Sequence, residues 1–228
     1  MKFLGRGAGF SDLHTSAYFT TRQNFVVIDC PSSAFIQLKK MDFSSYKNIY
    51  VLVTHTHGDH IGSLGLFLQF TYWVLKKKIL IVAPSKEVEA DICTVLTIEG
   101  NETDWYNICT ANQVNEDFLF QPILTSHSPQ LKGKCFGYEL NVNGVHYVYT
   151  GDTSTLEPFI PLLKRDSVLC VDTSVYYGLI HLKLEDALEQ FIILAEKGVQ
   201  IYLMHLDDEV KATELIQGLK NITIAPLE

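Results

Sequence analysis

The chain has 228 residues, 47% of them hydrophobic and 19% charged, which is the composition of an ordinary globular protein, not of a disordered or fibrous one. That length suffices for one hydrophobic core, so residues 1–228 are read as a single domain. A formal charge of −8 argues against a grip on long duplex nucleic acid, which needs a basic footprint, yet leaves room for a small anion held at a local cation.

In chain order, the first clear strand is Phe25 to Asp29 and the next runs from Ile49 to Thr54, both apolar and rich in β-branched residues. A helix is expected to begin at Asp59 or His60 and carry Leu64, Leu66, Phe67, Leu68 and Trp73. Its apolar stretch, Ile61 to Leu75, contains Gln69, ends in lysines and is too short to span a bilayer; it reads as a buried helix. Lys76-Lys77-Lys78 reads as its solvated end. Ile79 to Val82 forms a strand stopped by Pro84, and Ser85 caps a helix from Lys86 to Thr97.

Residues 99–117 read as loop plus one short strand. Phe118 to Thr125, Cys135 to Val142 and Val145 to Thr150 follow as strands, the last two joined by the hairpin signal Asn143-Gly144. Val168 to Val171 is a strand, and Leu184, Leu188, Phe191 and Ala195 mark a helix closed by Gly198. Ile201 to Leu206, a helix from Glu209 to Leu219 and a strand from Ile222 to Ala225 complete the chain. Strand pairs interrupted by helices predict an α/β fold with two mixed sheets and helices outside, an αββα sandwich. The five cysteines are odd in number and scattered, and no N-terminal signal peptide is seen, so a cytoplasmic chain with reduced thiols is expected.

The densest chemistry lies in His55-Thr56-His57-Gly58-Asp59-His60-Ile61-Gly62, directly after an apolar strand. His55 and His57 alternate by two and so point to one side of an extended segment. Gly58 is expected to relieve crowding between ligands, and Gly62 and Gly65 to let the helix lie close. Asking which polar residues terminate other apolar runs adds His127, Asp152 (in Thr150-Gly151-Asp152-Thr153) and His205. Singly, His127 or His205 would read as a hydrogen-bonded structural histidine and Asp152 as a turn cap. With the histidine-rich run they read as a metal site. Imidazole and carboxylate donors suit Zn²⁺ and also admit Mn²⁺ or Fe²⁺.

These motifs resemble the metallo-β-lactamase-fold hydrolase superfamily over almost the whole chain. The resemblance implies two divalent metal ions, the first held by His55, His57 and His127, the second by Asp59, His60 and His205, with Asp152 bridging. Phe3-Leu4-Gly5-Arg6-Gly7-Ala8-Gly9-Phe10, Tyr149 to Thr153, and His181 ahead of Leu182-Lys183-Leu184-Glu185-Asp186-Ala187 are similar to the ribonuclease Z-like phosphodiesterase branch. That branch implies attack on phosphorus by a metal-activated hydroxide, with Asp59 and His181 as catalytic groups.

The long basic arm of the tRNA-processing enzymes is missing, so the expected substrate is a small nucleotide phosphodiester. Cyclic nucleotides are one class, including those degraded by viral anti-defence enzymes of this fold. Competing readings are an RNA 3′-processing endonuclease, a thioesterase or lactonase, and a non-catalytic metal-stabilised binding protein. Ser126, Ser128, Thr153 and Ser154 border the ligands and are candidates for phosphate contact or for orienting the imidazoles. His14 follows the glycine loop and reads as substrate-facing or locally bonded. Tyr176 and Tyr177 read as a base-stacking pair, as core, or as a contact in a homodimer.

Overall fold

The computed structural model describes residues 1–176 and 178–227, and Tyr177 lies outside the described residues. Among these, twelve strands fall into two six-stranded sheets. The first holds β1 (Lys2–Gly5), β2 (Ser16–Thr20), β3 (Asn24–Ile28), β4 (Asn48–Leu52), β5 (Leu80–Ala83) and β6 (Asn107–Thr110) in that order. The second runs from β12 (Ile222–Ile224) through β11 (Gln200–Met204), β10 (Val168–Asp172), β9 (Val145–Tyr149) and β8 (Phe136–Val142) to β7 (Leu119–Leu124).

The two sheets share one plan. In each, the first three strands form an antiparallel meander and the last three continue in parallel with the third. Parallel neighbours need crossovers, and helices supply most of them. These are α1 (Ser32–Leu38), α2 (Gly58–Ile61), α3 (Leu64–Trp73) and α4 (Lys86–Ile98) in the first half, with α5 (Leu184–Glu196) and α6 (Glu209–Leu215) in the second.

Strand alternation builds the layers. Val26, Ile28, Tyr50 and Leu52 face between the sheets, where they meet Tyr138, Leu140, Tyr149 and Cys170. Val27, Val51 and Ile81 face the other way and pack under Ala34, Leu38, Phe67 and Ile92 of the first helix layer. Val148, Leu169 and Leu203 do the same beneath Leu184, Phe191 and Ala212. The result is a four-layer αββα sandwich, as the sequence pattern predicts.

Several boundaries differ from expectation. The helix expected from Asp59 onward is two helices, because the chain breaks at Gly62 and Ser63 between α2 and α3. It is not buried all round: Leu66, Trp73 and Val74 are exposed while Phe67 and Leu68 face the core. Of the three lysines after it, Lys77 turns inward and donates to the carbonyls of Phe43 and Tyr46. The last helix stops at Leu215, not Leu219, since Gly218 takes a left-handed φ of 82° just beyond it. Ser85 caps α4 as expected, accepting from the Val88 amide at 3.3 Å. Asn143 and Gly144 both have positive φ, 53° and 88°, as a two-residue hairpin turn requires. The five cysteines are free. No helix among the described residues is long and apolar enough to cross a membrane.

Candidate metal centre

The site gathers at the carboxyl ends of strands from both sheets, where open α/β sheets leave room for a ligand. His55, His57, Asp59 and His60 follow β4; His127 follows β7, Asp152 follows β9 and His205 follows β11. Gly151 puts Asp152 in place. Its φ is 59°, and a Cβ there would lie 2.4 Å from the Phe136 carbonyl oxygen. His205 itself adopts φ 57°, held there by its amide donating to Thr15 Oγ1 at 2.9 Å.

Two groups of donors result. In the first, the ligand atoms of His55, His57, His127 and Asp152 lie within 4.8 Å of one another; in the second, those of Asp59, His60, Asp152 and His205 do. Asp152 belongs to both. Its Oδ2 lies 3.5 Å from His127 Nε2 and 3.8 Å from His55 Nε2, while its Oδ1 lies 3.2 Å from His60 Nε2. His205 Nε2 sits 3.3 Å from Asp59 Oδ2 and 3.4 Å from Asp152 Oδ2.

The hydrogen bonds behind the rings decide which nitrogens face inward. Thr54 Oγ1 donates to Asp29 Oδ2 at 2.7 Å, so it accepts from His55 Nδ1 at 3.0 Å. His127 Nδ1 donates to the Ile180 carbonyl at 2.7 Å, and His60 Nδ1 to Asp29 Oδ2 at 2.8 Å. Each of these rings therefore keeps its Nε2 lone pair for the site. His57 Nδ1 lies 3.0 Å from His55 Nε2 and 3.3 Å from His127 Nε2. Three nitrogens thus converge with at most one proton among them when neutral, and His60 Nε2 is buried without a hydrogen bond. A cation satisfies both deficits. The residues fit divalent metal ions, and the groups have the capacity to bind them.

Electrostatics separates the groups. Burial, helped by the neighbouring rings, holds His55 well below the ordinary histidine range and lowers His57. Burial pushes the same way at His60 and His205, but the facing carboxylates overcome it. Asp152 and Asp29 raise His60 well above its usual range, and Asp152, Asp172 and Asp59 lift His205 to about 10. Asp152 and Asp59 are depressed: burial opposes ionisation, and the nearby imidazoles outweigh it.

His181 joins this site. Its Nδ1 donates to Asp172 Oδ2 at 2.8 Å, and its ring stacks on His205 with centroids 4.7 Å apart. Asp172, Asp152, His181 and His205 form a third close group. Asp172 Oδ2 already accepts from His181 and from the Thr153 amide at 2.8 Å, so Asp172 acts here as a brace. A cavity of about 1000 Å³ opens over His57, Asp59, His127, Asp152, His181 and His205.

Other expectations fare unevenly. An added Cβ at Gly58 would meet open space, so crowding between ligands is not its reason, and Gly65 packs against Glu99 and Asn101 instead of lying near the site. Thr153 is buried and bonded to Thr125, while Ser128 turns to Gln130 and Ser154 to the Ser126 carbonyl. These side chains shape the ligand loops. His14 makes the local contact, lying 3.3 Å from Ser33 Oγ, and also lines the cavity. Tyr176 is braced by Asp208, which accepts from its hydroxyl at 2.7 Å. Asp29, Thr54 and Asp172 were not identified from the sequence. Asp29 and Asp172 close the apolar runs Phe25-Val26-Val27-Ile28 and Val168-Leu169-Cys170-Val171, the same signal that marks Asp152.

Known proteins share this fold and resemble this sequence. The metallo-beta-lactamase fold protein YhfI from Bacillus subtilis superposes with a TM-score of 0.75 at 16% identity, over 99% of this chain and 96% of that one. The short form of human tRNase Z does so with a TM-score of 0.63 at 17% identity, over 90% and 92%. At such identities the likeness concerns the fold, which is the metallo-β-lactamase fold. In sequence, the anti-Pycsar protein Apyc1 of Bacillus phage vB_BsuM-Goe3 is 25% identical over 238 residues, 92% of this chain and 90% of that protein. The homologue from Bacillus phage 010DV004 is 24% identical over 236 residues, with the same coverage. The family model described as Anti-Pycsar protein Apyc1 matches residues 1–224, which takes in every strand and every candidate donor described above, and the chain belongs to that family.

Proposed function

We propose that the protein is a dinuclear metal-dependent phosphodiesterase acting on small nucleotide phosphodiesters, cyclic nucleotides foremost. One observation carries the reading: two donor groups sharing Asp152 lie at the floor of an open cavity with His181 beside them. In this reading His55, His57, His127 and Asp152 hold one ion, and Asp59, His60, His205 and Asp152 the other. Zn²⁺ is the favoured ion, with Mn²⁺ or Fe²⁺ compatible with the same donors. Bound there, the pair would lower the pKa of water toward neutrality and neutralise charge on the phosphate oxygens.

The chain's own groups do the rest. Asp59 is the partly exposed carboxylate of the second group and lies at the cavity floor, so it orients the attacking water and takes its proton. His181 lines the same cavity, and its Nδ1 proton is committed to Asp172. Its other nitrogen is the one available to protonate the leaving oxygen or to stabilise charge as it develops. Asp172 fixes the ring for that task.

Residues 1–228 are taken as one domain, because each donor group draws residues from both sheets. Free cysteines support a reducing, cytoplasmic setting. The exposed Tyr176 is compatible with the homodimer contact read from the sequence, which light scattering would check.

The deciding experiment is a screen of the metal-reconstituted protein against 2′,3′- and 3′,5′-cyclic nucleotides and a thioester panel, with Asp59→Ala alongside. Cyclic-nucleotide hydrolysis that falls at least about 100-fold in Asp59→Ala is expected, the scale of general-base assistance. Acyl hydrolysis without phosphodiester cleavage, or activity that survives the substitution, would overturn the reading.

A further inference from the structure

The metal-site residues account for the floor of the cavity, but its mouth carries two apolar side chains that stand exposed to solvent. Phe10 and Leu179 line this cavity and are the most exposed large hydrophobic residues among those described, at 108% and 93%. Large apolar groups held in water at the rim of a polar site point to a ligand that covers them.

Both are tied closely to the floor. Phe10 sits at the corner of a turn closed by the Ser11 amide donating to the Ala8 carbonyl at 2.9 Å. That loop is pinned on either side, by the Ala8 amide to Leu206 and the Gly7 amide to Leu13, each at 2.9 Å. Its Gly9 lies so near the site that an added Cβ would come within 2.9 Å of Asp59 Oδ2. Leu179 precedes Ile180, whose carbonyl accepts from His127 Nδ1 at 2.7 Å. Leu179 is therefore one residue from a hydrogen bond to a donor of the site, and Phe10 one residue from a glycine that lies close to another.

The loop bearing Leu179 is also braced. Asp207 accepts from Ser174 Oγ at 2.6 Å and from the Val175 amide at 2.7 Å. Tyr176 is held by Asp208, and Lys211 Nζ lies 4.9 Å from the centre of its ring. These bonds take up the polar groups at the loop's base and leave Leu179 at its tip.

We infer that Phe10 and Leu179 are the base-recognition elements of the site, contacting the faces of a nucleobase whose phosphodiester lies on the donors below. The inference rests on the phosphodiesterase reading for the position of the phosphate. Neither side chain has a donor or acceptor with which to read a base edge. Recognition by this pair is thus through stacking and apolar contact, which every base can offer. The expected substrate class is base-bearing but tolerant of base identity, with purines favoured modestly for their larger face.

The test is equilibrium binding to the metal-loaded full chain of adenosine 5′-monophosphate, cytidine 5′-monophosphate and ribose 5-phosphate, which share a phosphate and differ in the base. Both nucleotides are expected to bind roughly 5- to 100-fold tighter than ribose 5-phosphate, the range for one stacked base. Phe10→Ala and Leu179→Ser should each move that ratio toward one, while Phe10→Tyr keeps it. Both positions are exposed, so these variants retain the core. Equal binding of all three ligands by the unsubstituted protein, or an undiminished ratio in both variants, would overturn the inference. Base-dependent binding without hydrolysis of any cyclic nucleotide would instead remove the catalytic reading and leave the base-recognising rim standing.

Discussion

At His60, burial favours the neutral ring, and the carboxylates of Asp152 and Asp29 reverse that preference. His205 is raised to about 10 in the same way. Without metal, protons on these rings stand where a cation would go. For a group whose pKa is higher in the fold than in the unfolded chain, the stability it adds is complete below the unfolded value. It is lost as pH climbs toward the folded value. For His60 and His205 that loss begins near pH 6.5, the ordinary histidine value. The depressed Asp59 and Asp152 remain ionised throughout this window, since their contribution is lost only as pH falls through their folded values. The melting temperature of the chelated protein should therefore fall between pH 6.5 and pH 9. Metal affinity should rise over the same interval as protons leave the ligands. Calorimetry with EDTA at the two pH values checks this, and a flat or rising trend would contradict the assignment. Asp29 supports a second prediction. It accepts from the Thr54 amide at 2.8 Å and from His60 Nδ1 at 2.8 Å inside a buried pocket. Asp29→Ala removes the acceptor of these two donors and of the Thr54 hydroxyl and frees the ring, so metal affinity should drop about 10- to 100-fold in a chelator competition. Unchanged affinity would mean that packing alone orients His60.

At the scale of the element, strand ends carry the site and glycine sets where one of them points. Gly151→Ala would place a Cβ 2.4 Å from the Phe136 carbonyl oxygen at a φ of 59°. The left-handed conformation alone costs an alanine about 1–2 kcal/mol, and relief of the clash moves Asp152. Because Asp152 is shared by both donor groups, the variant should lose more than one equivalent of metal by elemental analysis, and full stoichiometry would refute the proposal that it serves two ions. The donors were legible because each ends an apolar run or lies in the histidine-rich turn, a pattern that survives in one dimension. Their supports were not. Asp29 and Asp172 end similar runs, but residue type does not reveal whether a strand-end carboxylate faces the cavity or backs a histidine. For Asp29 that depends on His60, 31 positions away. The positive φ of Asp29 and His205, 60° and 57°, is likewise set by tertiary bonds. β2 and α1 were missed for local reasons. β2, Ser-Ala-Tyr-Phe-Thr, is short and lacks alternation, since all but its last residue are buried. α1 spans only seven residues and opens on Pro31-Ser32-Ser33, which reads as a turn until its neighbours cover Ala34 and Leu38.

For the molecule as a whole, the site joins two halves that repeat one strand plan. His55 and His57 come from the first sheet, His127 and Asp152 from the second; in the other group Asp59 and His60 face Asp152 and His205 across the same divide. A cation in either group therefore ties one sheet to the other at the end where the apolar layer between them stops. Such a tie strengthens the folded state selectively, because the unfolded chain does not hold donors so distant in sequence together. At a free metal concentration a thousand times the dissociation constant, one ion adds about 4 kcal/mol. For a chain of 228 residues this corresponds to roughly 8–16 °C in melting temperature. Chelation should reverse the gain, and added metal should restore it in proportion to the logarithm of its concentration. His127→Ala and His57→Ala, drawn from opposite sheets but from one donor group, should each remove a similar part of the metal-dependent rise, measured from each variant's own melting point in EDTA at pH 6.5. A rise abolished by one and untouched by the other would show that the ion is held within a single half, and that the two sheets are fastened by their apolar faces alone.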